Sequence, residues 1–531
     1  MSVQSTAITE ANDVGHGLKK LPWDNIIFTL LLAGAVVSYL IVGLRKEHLW
    51  FDEIIVVTYA NQSIVDLIIS VARFDPHPPL YHLQVKLWSI GGSTDYWLLL
   101  NSVLWTVLTT CSIAQLRLRE VSRFEGYFAG LLFGLMPGTV LYAHSLRPYA
   151  METCLTVWLA IAVRWAIEDI SRRRGRLIAV VAIELALLYS NAGAPVIVFC
   201  IASYGFLLLL ERRAPPRELR RWFIAHAVVA VLAMPAVLNS AFRSMEHTKN
   251  PTLSDVFATV VNLYAGPVSA DFTMYVGTIV LFLLFVTYGL AKRSTRSLTI
   301  SLIVLPFILT WSISHLLRPI WLDRVLLFTM PFFAVVLVNG IVDLCRRVSI
   351  LVPVPLGRGI AGIILAGLAI SWCVMRFVDT EYFSKPTDYR AAAAVIDAGL
   401  RPGDAIYVPE NFSFWGIARY LKGPYWGSPL AIQDPVTPNF SKFWHTLLAK
   451  LGPDWRKRLH LEPQNRMIVI RGSPMVIGWS QPIEIDRAER VWLVTSVTHD
   501  LDKIPPLDSF AEVSRREFDG LTVHLLVRSA N

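Results

Sequence analysis

Charge is scarce in this chain. Asp, Glu, Lys and Arg make up only 17% of its residues against 54% hydrophobic, and the mean hydropathy is +0.49. That balance excludes an ordinary water-soluble domain. Cysteine is also sparse. The five present, Cys111, Cys154, Cys200, Cys345 and Cys373, lie in or at the ends of apolar segments and form neither a disulfide framework nor a metal-ligand spacing. A glycine-rich nucleotide-binding motif is missing from the polar C-terminal part. No single basic face exists either: the net charge of +9 comes from Lys and Arg in short clusters between apolar runs. Nucleic acid is therefore not a partner, and the clusters point to membrane topology.

What the chain does have is apolar runs near the roughly 20 residues that cross a bilayer. Eleven segments qualify: Asn25–Leu44, Tyr96–Leu116, Glu125–Ala143, Tyr149–Ile167, Leu177–Tyr189, Pro195–Leu210, Trp222–Ser240, Phe272–Ala291, Leu298–Leu317, Leu322–Leu344 and Gly357–Met375. The basic residues sort them by side. Lys19 and Lys20 precede the first segment; Arg117, Arg119 and Arg123 follow the second; Arg172, Arg173, Arg174 and Arg176 the fourth. Arg212 to Arg221 follow the sixth, Lys292, Arg293 and Arg296 the eighth, and Arg346 and Arg347 the tenth. All fall on one side, which the positive-inside rule makes cytoplasmic. Leu177–Tyr189 is short, but dropping it alone would put Arg212–Arg221 on the wrong side. The first segment has no small-residue cleavage site and meets bulky Trp50 and Phe51 at once, so it is expected to stay as an anchor.

The expected fold is thus a polytopic α-helical membrane protein of about eleven spans. A cytoplasmic tail covers 1–24, the membrane domain 25–375 with a first outer loop at 45–95, and an extracytoplasmic α/β domain 376–531. In that last part the pattern predicts a helix ending at Gly399, a turn at Arg401–Asp404, a strand at Ala405–Val408 and a helix from Phe412. Further short strands are expected at Met467–Ile470, Val491–Thr495 and Leu521–Val527. About 155 residues suffice for an independent core.

The polar residues of the outer side are unusual. "HLWFDEIIVVTYANQ" sets Asp52 and Glu53 just beyond the first span. After it, Ile64, Leu67, Ile68 and Val71 have the spacing of an amphipathic helix lying along the membrane surface. In "FDPHPPLYHLQVKLW", Pro78 and Pro79 hold the chain extended and fix the approach of His77 and His82 to the second span. "AHSLRPYAMETC" puts Arg147 and Tyr149 at the turn between the third and fourth spans, and "SHLLRPIWLDRVLLF" adds Arg318 and Arg324. An outer Arg runs against the positive-inside trend, so something there needs its charge. Lys86 lies just before the second span. Carboxylates and cations collect at one interface, which favours an enzyme over a transporter or flippase of lipid-linked sugars. A transporter would need polar groups near the midplane, where Glu184 is the exception.

An acidic pair after the first span, an HPPLY segment, an RPYA turn and an R-x-L-L-x-x-x-P segment resemble, in this order, the GT-C type integral-membrane glycosyltransferases. The nearest likeness is to the family 39 group of protein O-mannosyltransferases, lipid A aminoarabinose transferases and lipopolysaccharide-core galacturonosyltransferases. It covers about the first 350 residues. Two features depart from the group. "LDRVLLFTMP" lacks the usual Arg-Tyr, and the tail is unlike the sugar-binding repeats of eukaryotic O-mannosyltransferases.

The resemblance implies a polyprenyl-phosphate-linked sugar donor, an envelope lipid, glycan or protein acceptor, inversion at the anomeric centre, and a place in the cytoplasmic (inner) membrane of a bacterium. Such a displacement needs a base for the acceptor's proton and cations for the phosphate leaving group. By motif position Asp52 is the base and Glu53 its orienting neighbour. Arg147 suits the phosphate because its fork can bind it through two hydrogen bonds. Lys86 and Arg324 are further phosphate candidates, and Tyr149 is a hydrogen-bond donor nearby. His77 and His82 either contact phosphate or acceptor, hold the loop, or bind a divalent metal with Glu53. No certain cofactor is implied. For each there is a plainer role: a solvated surface acid for Asp52, and snorkelling to headgroups for Arg147 and Arg324.

Overall fold

The computed structural model describes residues 23–116, 123–168, 174–242, 250–266, 272–348, 354–378, 385, 387–408, 411–422, 475–477, 488–496, 507 and 509–529. The tail with Lys19 and Lys20, the basic residues Arg117, Arg119, Arg172 and Arg173, and the strand expected at Met467–Ile470 lie outside them.

The first helix, α1 (Trp23–Leu40), leads into the loop at 45–95. That loop contains three short helices: α2 (Phe51–Ala60), α3 (Ile64–Phe74) and α4 (Leu80–Ser89). The bundle continues with α5 (Asp95–Ile113), α6 (Arg123–Leu135), α7 (Pro137–Ala143), α8 (Tyr149–Glu168), α9 (Arg174–Leu188), α10 (Ala194–Glu211) and α11 (Pro216–Phe242). After α12 (Leu253–Tyr264) come α13 (Phe272–Ala291), α14 (Arg293–Thr299), α15 (Leu305–Leu316), α16 (Met330–Val348) and α17 (Val354–Val378).

All eleven expected apolar segments are helical. Among the described residues seven helices are long and apolar enough to cross a bilayer, and α6 with α7, bent by 63°, makes an eighth. Pro137 opens α7 and has no N–H to continue the ladder from α6, which accounts for the bend. The described apolar stretches Asp24–Leu40 and Tyr275–Ala291 are shorter. With 15 residues, α9 reaches about 22 Å, less than the hydrocarbon thickness.

The bundle is layered. The span Asp323–Arg347 has 89% of its apolar window buried inside the protein and Tyr149–Glu168 has 72%, whereas Pro216–Ala241 and Gly359–Val378 have 22% each. The first two form the centre. The outer helices leave Ile224, Val231, Leu238, Ile363, Ile370 and Val374 uncovered, as the lipid-facing side of a multi-pass membrane protein requires. Within the spans, Glu184 is fully buried on α9 and meets His226 of α11 at 3.0 Å.

On α3 the apolar residues divide between two faces. Leu67 and Val71 are buried against Tyr59, while Ile64, Val65, Ile68 and Ile69 are exposed. The helix lies where the sequence predicts it, but the expected stripe of Ile64, Leu67, Ile68 and Val71 is split between its buried and exposed faces. The proline pair acts differently from expectation. Pro79 sits at φ −77°, ψ −12° as the N-cap of α4, so the chain turns helical at once and His82 lies in the first turn of that helix.

Beyond α17, α18 (Tyr389–Gly399), β1 (Ala405–Val408) and α19 (Asn411–Tyr420) follow the predicted order, and β2 (Met475–Ile477), β3 (Arg490–Ser496), β4 (Phe510–Phe518) and β5 (Leu521–Arg528) complete a sheet. Its order is β2-β1-β3-β5-β4, with β1 parallel to β2 and β3, and β5 antiparallel to β3 and β4. This α/β unit packs on the loop at 45–95 and the start of α5. Asp95, at the start of α5, accepts hydrogen bonds from Arg390 at 2.7 Å, Arg419 at 2.6 Å and the Tyr420 hydroxyl at 2.7 Å. The Tyr420 hydroxyl in turn accepts from the Leu49 N–H at 2.7 Å. The C-terminal unit and the loop that carries Asp52 therefore share one end of the bundle.

Candidate active site

Asp52 occupies the first turn of α2, where the helix dipole suits a negative charge. Its side chain is 27% exposed, and Oδ2 lies 3.8 Å from Nη2 of Arg147. The Arg147 Nη1 donates to the Asp52 carbonyl at 3.1 Å. Two adjacent residues of one helix point in different directions, so Glu53 does not stand beside this carboxylate as a second acid. It is fully buried. Its Oε2 accepts the Trp50 N–H at 2.9 Å, reaching back to the residue before the helix as in a capping box. Its Oε1 accepts the Leu146 N–H at 2.7 Å, and Lys385 donates to Oε2 at 2.5 Å. Glu53 thus ties together α2, the turn before Arg147 and the segment after α17.

Arg147 belongs to the turn between α7 and α8. Ser102 of α5 donates to the Ser145 carbonyl at 2.5 Å, Arg147 N donates to the same carbonyl at 2.9 Å, and Pro148 closes the turn. The side chain is held from several directions: besides Asp52, its Nη2 donates to Nε2 of His77 at 3.1 Å. Burial works against its charge, but Asp52, Tyr149 and Asp75 outweigh it and hold the guanidinium above its ordinary pKa.

His77 arrives on a braced loop. Asp75 accepts the His77 N–H at 2.8 Å, Ser240 of α11 donates to the Pro76 carbonyl at 2.7 Å, and Leu80 N donates to the Tyr189 carbonyl at 2.9 Å. Burial and the Arg147 cation together push the imidazole down to about 4, so it is neutral near pH 7. Burial alone would raise Asp75, but the contact with His82 and the Arg147 cation hold it below the usual carboxylate range.

Arg324 and Tyr149 form the other wall. Arg324 lies in a 3-10 turn, Asp323–Thr329, anchored by Asp323, which accepts hydrogen bonds from Thr259 and from Asn262, the latter at 2.9 Å. Its guanidinium sits 5.8 Å from the centre of the Tyr149 ring. Among the described residues no hydrogen-bond or carboxylate partner meets it, which leaves its donors available.

Two candidates are not brought to this cluster. Lys86 donates to the carbonyls of Ala60 at 3.0 Å and Gln62 at 2.6 Å, capping the far end of α2, about 12 Å of helix rise from Asp52. His82 is 1% exposed behind Asp75, 3.4 Å from its Oδ2, with ring edges against Tyr59 and Tyr81. The metal trio of Glu53, His77 and His82 does not assemble, because Glu53 turns to Lys385. Among the described residues no three His, Cys, Asp or Glu gather in metal-binding geometry. Arg318, the other outer cation, donates to the carbonyls of Ser240 and Ala241 near the end of α11.

Sequence reading missed Lys385, Asn191 and Glu152. Asn191, in the turn between α9 and α10, accepts from Gly193 N at 2.9 Å, faces Nδ1 of His77 at 3.1 Å, and donates to Oε2 of Glu152 at 2.5 Å. An acid one turn inside an apolar span was the available signal for Glu152. Lys385 gave none, since its partner is 332 residues away.

A partly open carboxylate beside a fixed guanidinium, with a second guanidinium available on an aromatic face, can take a proton from one reactant while holding the anionic end of another. No protein-family model matches the chain, and neither does any curated protein sequence. Solved structures share its fold, two of them of one protein. The crystal structure of ArnT from Cupriavidus metallidurans in the apo state superimposes with a TM-score of 0.55 at 13% identity, over 94% of this chain and 98% of that one. The same protein bound to undecaprenyl phosphate gives 0.54 at 13% identity, over the same 94% and 98%. The chain thus has the polytopic GT-C fold, C-terminal unit included.

Proposed function

We propose that the chain is a membrane glycosyltransferase that moves a sugar from a polyprenyl-phosphate carrier to an envelope lipid, glycan or protein acceptor. The observation that carries this reading is the 3.8 Å approach of the partly exposed Asp52 carboxylate to the buried Arg147 guanidinium, with Arg324 alongside. A solvated surface acid needs no such partner. A headgroup anchor would not be 8% exposed and held from below by His77. The fold shared with ArnT, one structure of which holds undecaprenyl phosphate, supports a lipid carrier as the donor's anchor.

In the proposed reaction the acceptor hydroxyl attacks the anomeric carbon from the face opposite the phosphate. The new carbon–oxygen bond forms as the bond to the phosphate oxygen breaks, with inversion. The hydroxyl proton passes to Asp52, and the polyprenyl phosphate leaves with its growing charge against Arg147 and Arg324. Tyr149 positions Arg324 through its ring. The basic clusters between spans support a site on the outer face of the cytoplasmic membrane, with the domain at 376–531 on the same side as the first outer loop.

The test compares envelope glycolipids, glycans and exported proteins by mass spectrometry from cells with and without the chain, and with Asp52→Asn in its place. The reading expects one sugar modification to vanish in both the deletion and the variant. An unchanged profile in the deletion removes the transferase reading.

A further inference from the structure

We infer that Glu152 and Asn191 are positioning residues that act through His77 to aim Arg147 at the carrier phosphate. The inference rests on the proposed role of Arg147 and extends it into the bundle. Its basis is a chain of hydrogen bonds whose direction is fixed by chemistry. Arg147 can only donate, so Nε2 of His77, 3.1 Å from Nη2, is the acceptor and carries no proton. The single proton of the neutral ring is then on Nδ1, which donates to Oδ1 of Asn191 at 3.1 Å. Gly193 N donates to that same oxygen at 2.9 Å, which fixes the amide so that its nitrogen faces Oε2 of Glu152 at 2.5 Å.

The Ala192 N–H lies 3.3 Å from Nδ1 and would favour the other tautomer. That tautomer would place a proton on Nε2 against the guanidinium, donor against donor at the shorter distance, so the Arg147 contact decides. Every member of the chain is buried: Glu152 is 5% exposed, Asn191 5%, His77 8% and Arg147 8%. Water therefore has little access to replace a lost partner. One consequence separates this from a phosphate-binding histidine. The lone pair of Nε2 is committed to Arg147 and the ring proton to Asn191, so His77 has neither a proton for a phosphate nor a free nitrogen for a metal. Its work is to hold the guanidinium that Asp52 touches from the other side.

The experiment measures binding of undecaprenyl phosphate to the purified full-length protein in detergent. His77→Gln keeps an acceptor near the place of Nε2 and should bind within about threefold of wild type. His77→Leu and Asn191→Leu should bind about tenfold more weakly, the scale of a hydrogen bond to a charged group. In an Arg147→Ala background neither leucine substitution should weaken binding further, because the group they aim is gone. If the losses add in that background, or if His77→Gln binds as poorly as His77→Leu, the inference fails while the role of Arg147 stands. Wild-type binding by Arg147→Ala alone would remove that role and the inference with it. Should Asn191→Leu not fold, the two His77 variants and their Arg147→Ala doubles decide the matter.

Discussion

Glu53 and Lys385 are 332 residues apart in the chain and 2.5 Å apart in the fold, the carboxylate fully buried and the lysine side chain 9% exposed. Removing one member of such a pair leaves the other charge buried without compensation, at a cost of about 3–5 kcal/mol. Lys385→Met should therefore lower the thermal stability of the purified protein sharply, and Glu53→Gln should restore part of it in the double variant. Additive losses in a thermal unfolding series would show that the two do not act as a pair. Glu53→Gln alone is expected to harm turnover less than a change at Asp52, since its task is to hold the backbone.

Asp52→Asn keeps the shape at the mouth of the site and removes the proposed base. Turnover should fall by at least about a hundredfold, with membrane expression and thermal stability unchanged. Near-normal turnover by the purified variant would take Asp52 out of the reaction.

The three cation candidates should separate. Arg147→Lys keeps the charge but loses the fork, so activity should be well below wild type, with Arg147→Ala lower still. A headgroup anchor predicts a lysine variant like wild type in detergent. Arg324→Ala should weaken donor binding without loss of stability, because no partner is left stranded. Lys86→Met should do the reverse, since Lys86 caps α2. Weakened donor binding in Lys86→Met at normal stability would return it to the site.

His77 predicts a pH dependence of stability. Folded, the imidazole is held down to about 4 from 6.5, so unfolding takes up a proton between those values. Stability should fall as pH drops through that window, by up to about 1.4 kcal/mol per pH unit from this residue. His77→Gln, which does not titrate, should flatten the slope there. The contribution of Asp75, whose folded value is depressed, is present above 3.8 and lost only further down, outside the window. An unchanged slope in His77→Gln would assign the dependence to other groups.

A reporter active only in the cytoplasm, fused after Asn531, should stay silent if the C-terminal domain lies outside. Because that unit docks on the loop of Asp52 through Asp95, a bright signal would move the site to the cytoplasmic side as well.

By itself the sequence determined the class of fold. Scarce charge and long apolar runs leave no soluble alternative, and a helix is the one local structure that satisfies its own backbone in lipid, so eleven helical segments were legible from hydropathy. The pattern of α18, β1 and α19 was legible for a similar reason: caps, turns and periodicity act over a few residues. The bend at Pro137 was not legible, because hydropathy averages over it. The roles of the outer charges were decided by tertiary structure alone. Asp52 and Glu53 are neighbours in the chain, yet one faces Arg147 and the other Lys385, because adjacent helix positions point about 100° apart and each meets a different distant element. Lys86 and Arg324 look equally available as letters; the end of α2 occupies the first and nothing described occupies the second. Asn191 and Glu152 carry no motif, and only the packing of the α9–α10 turn against α8 makes them part of the site.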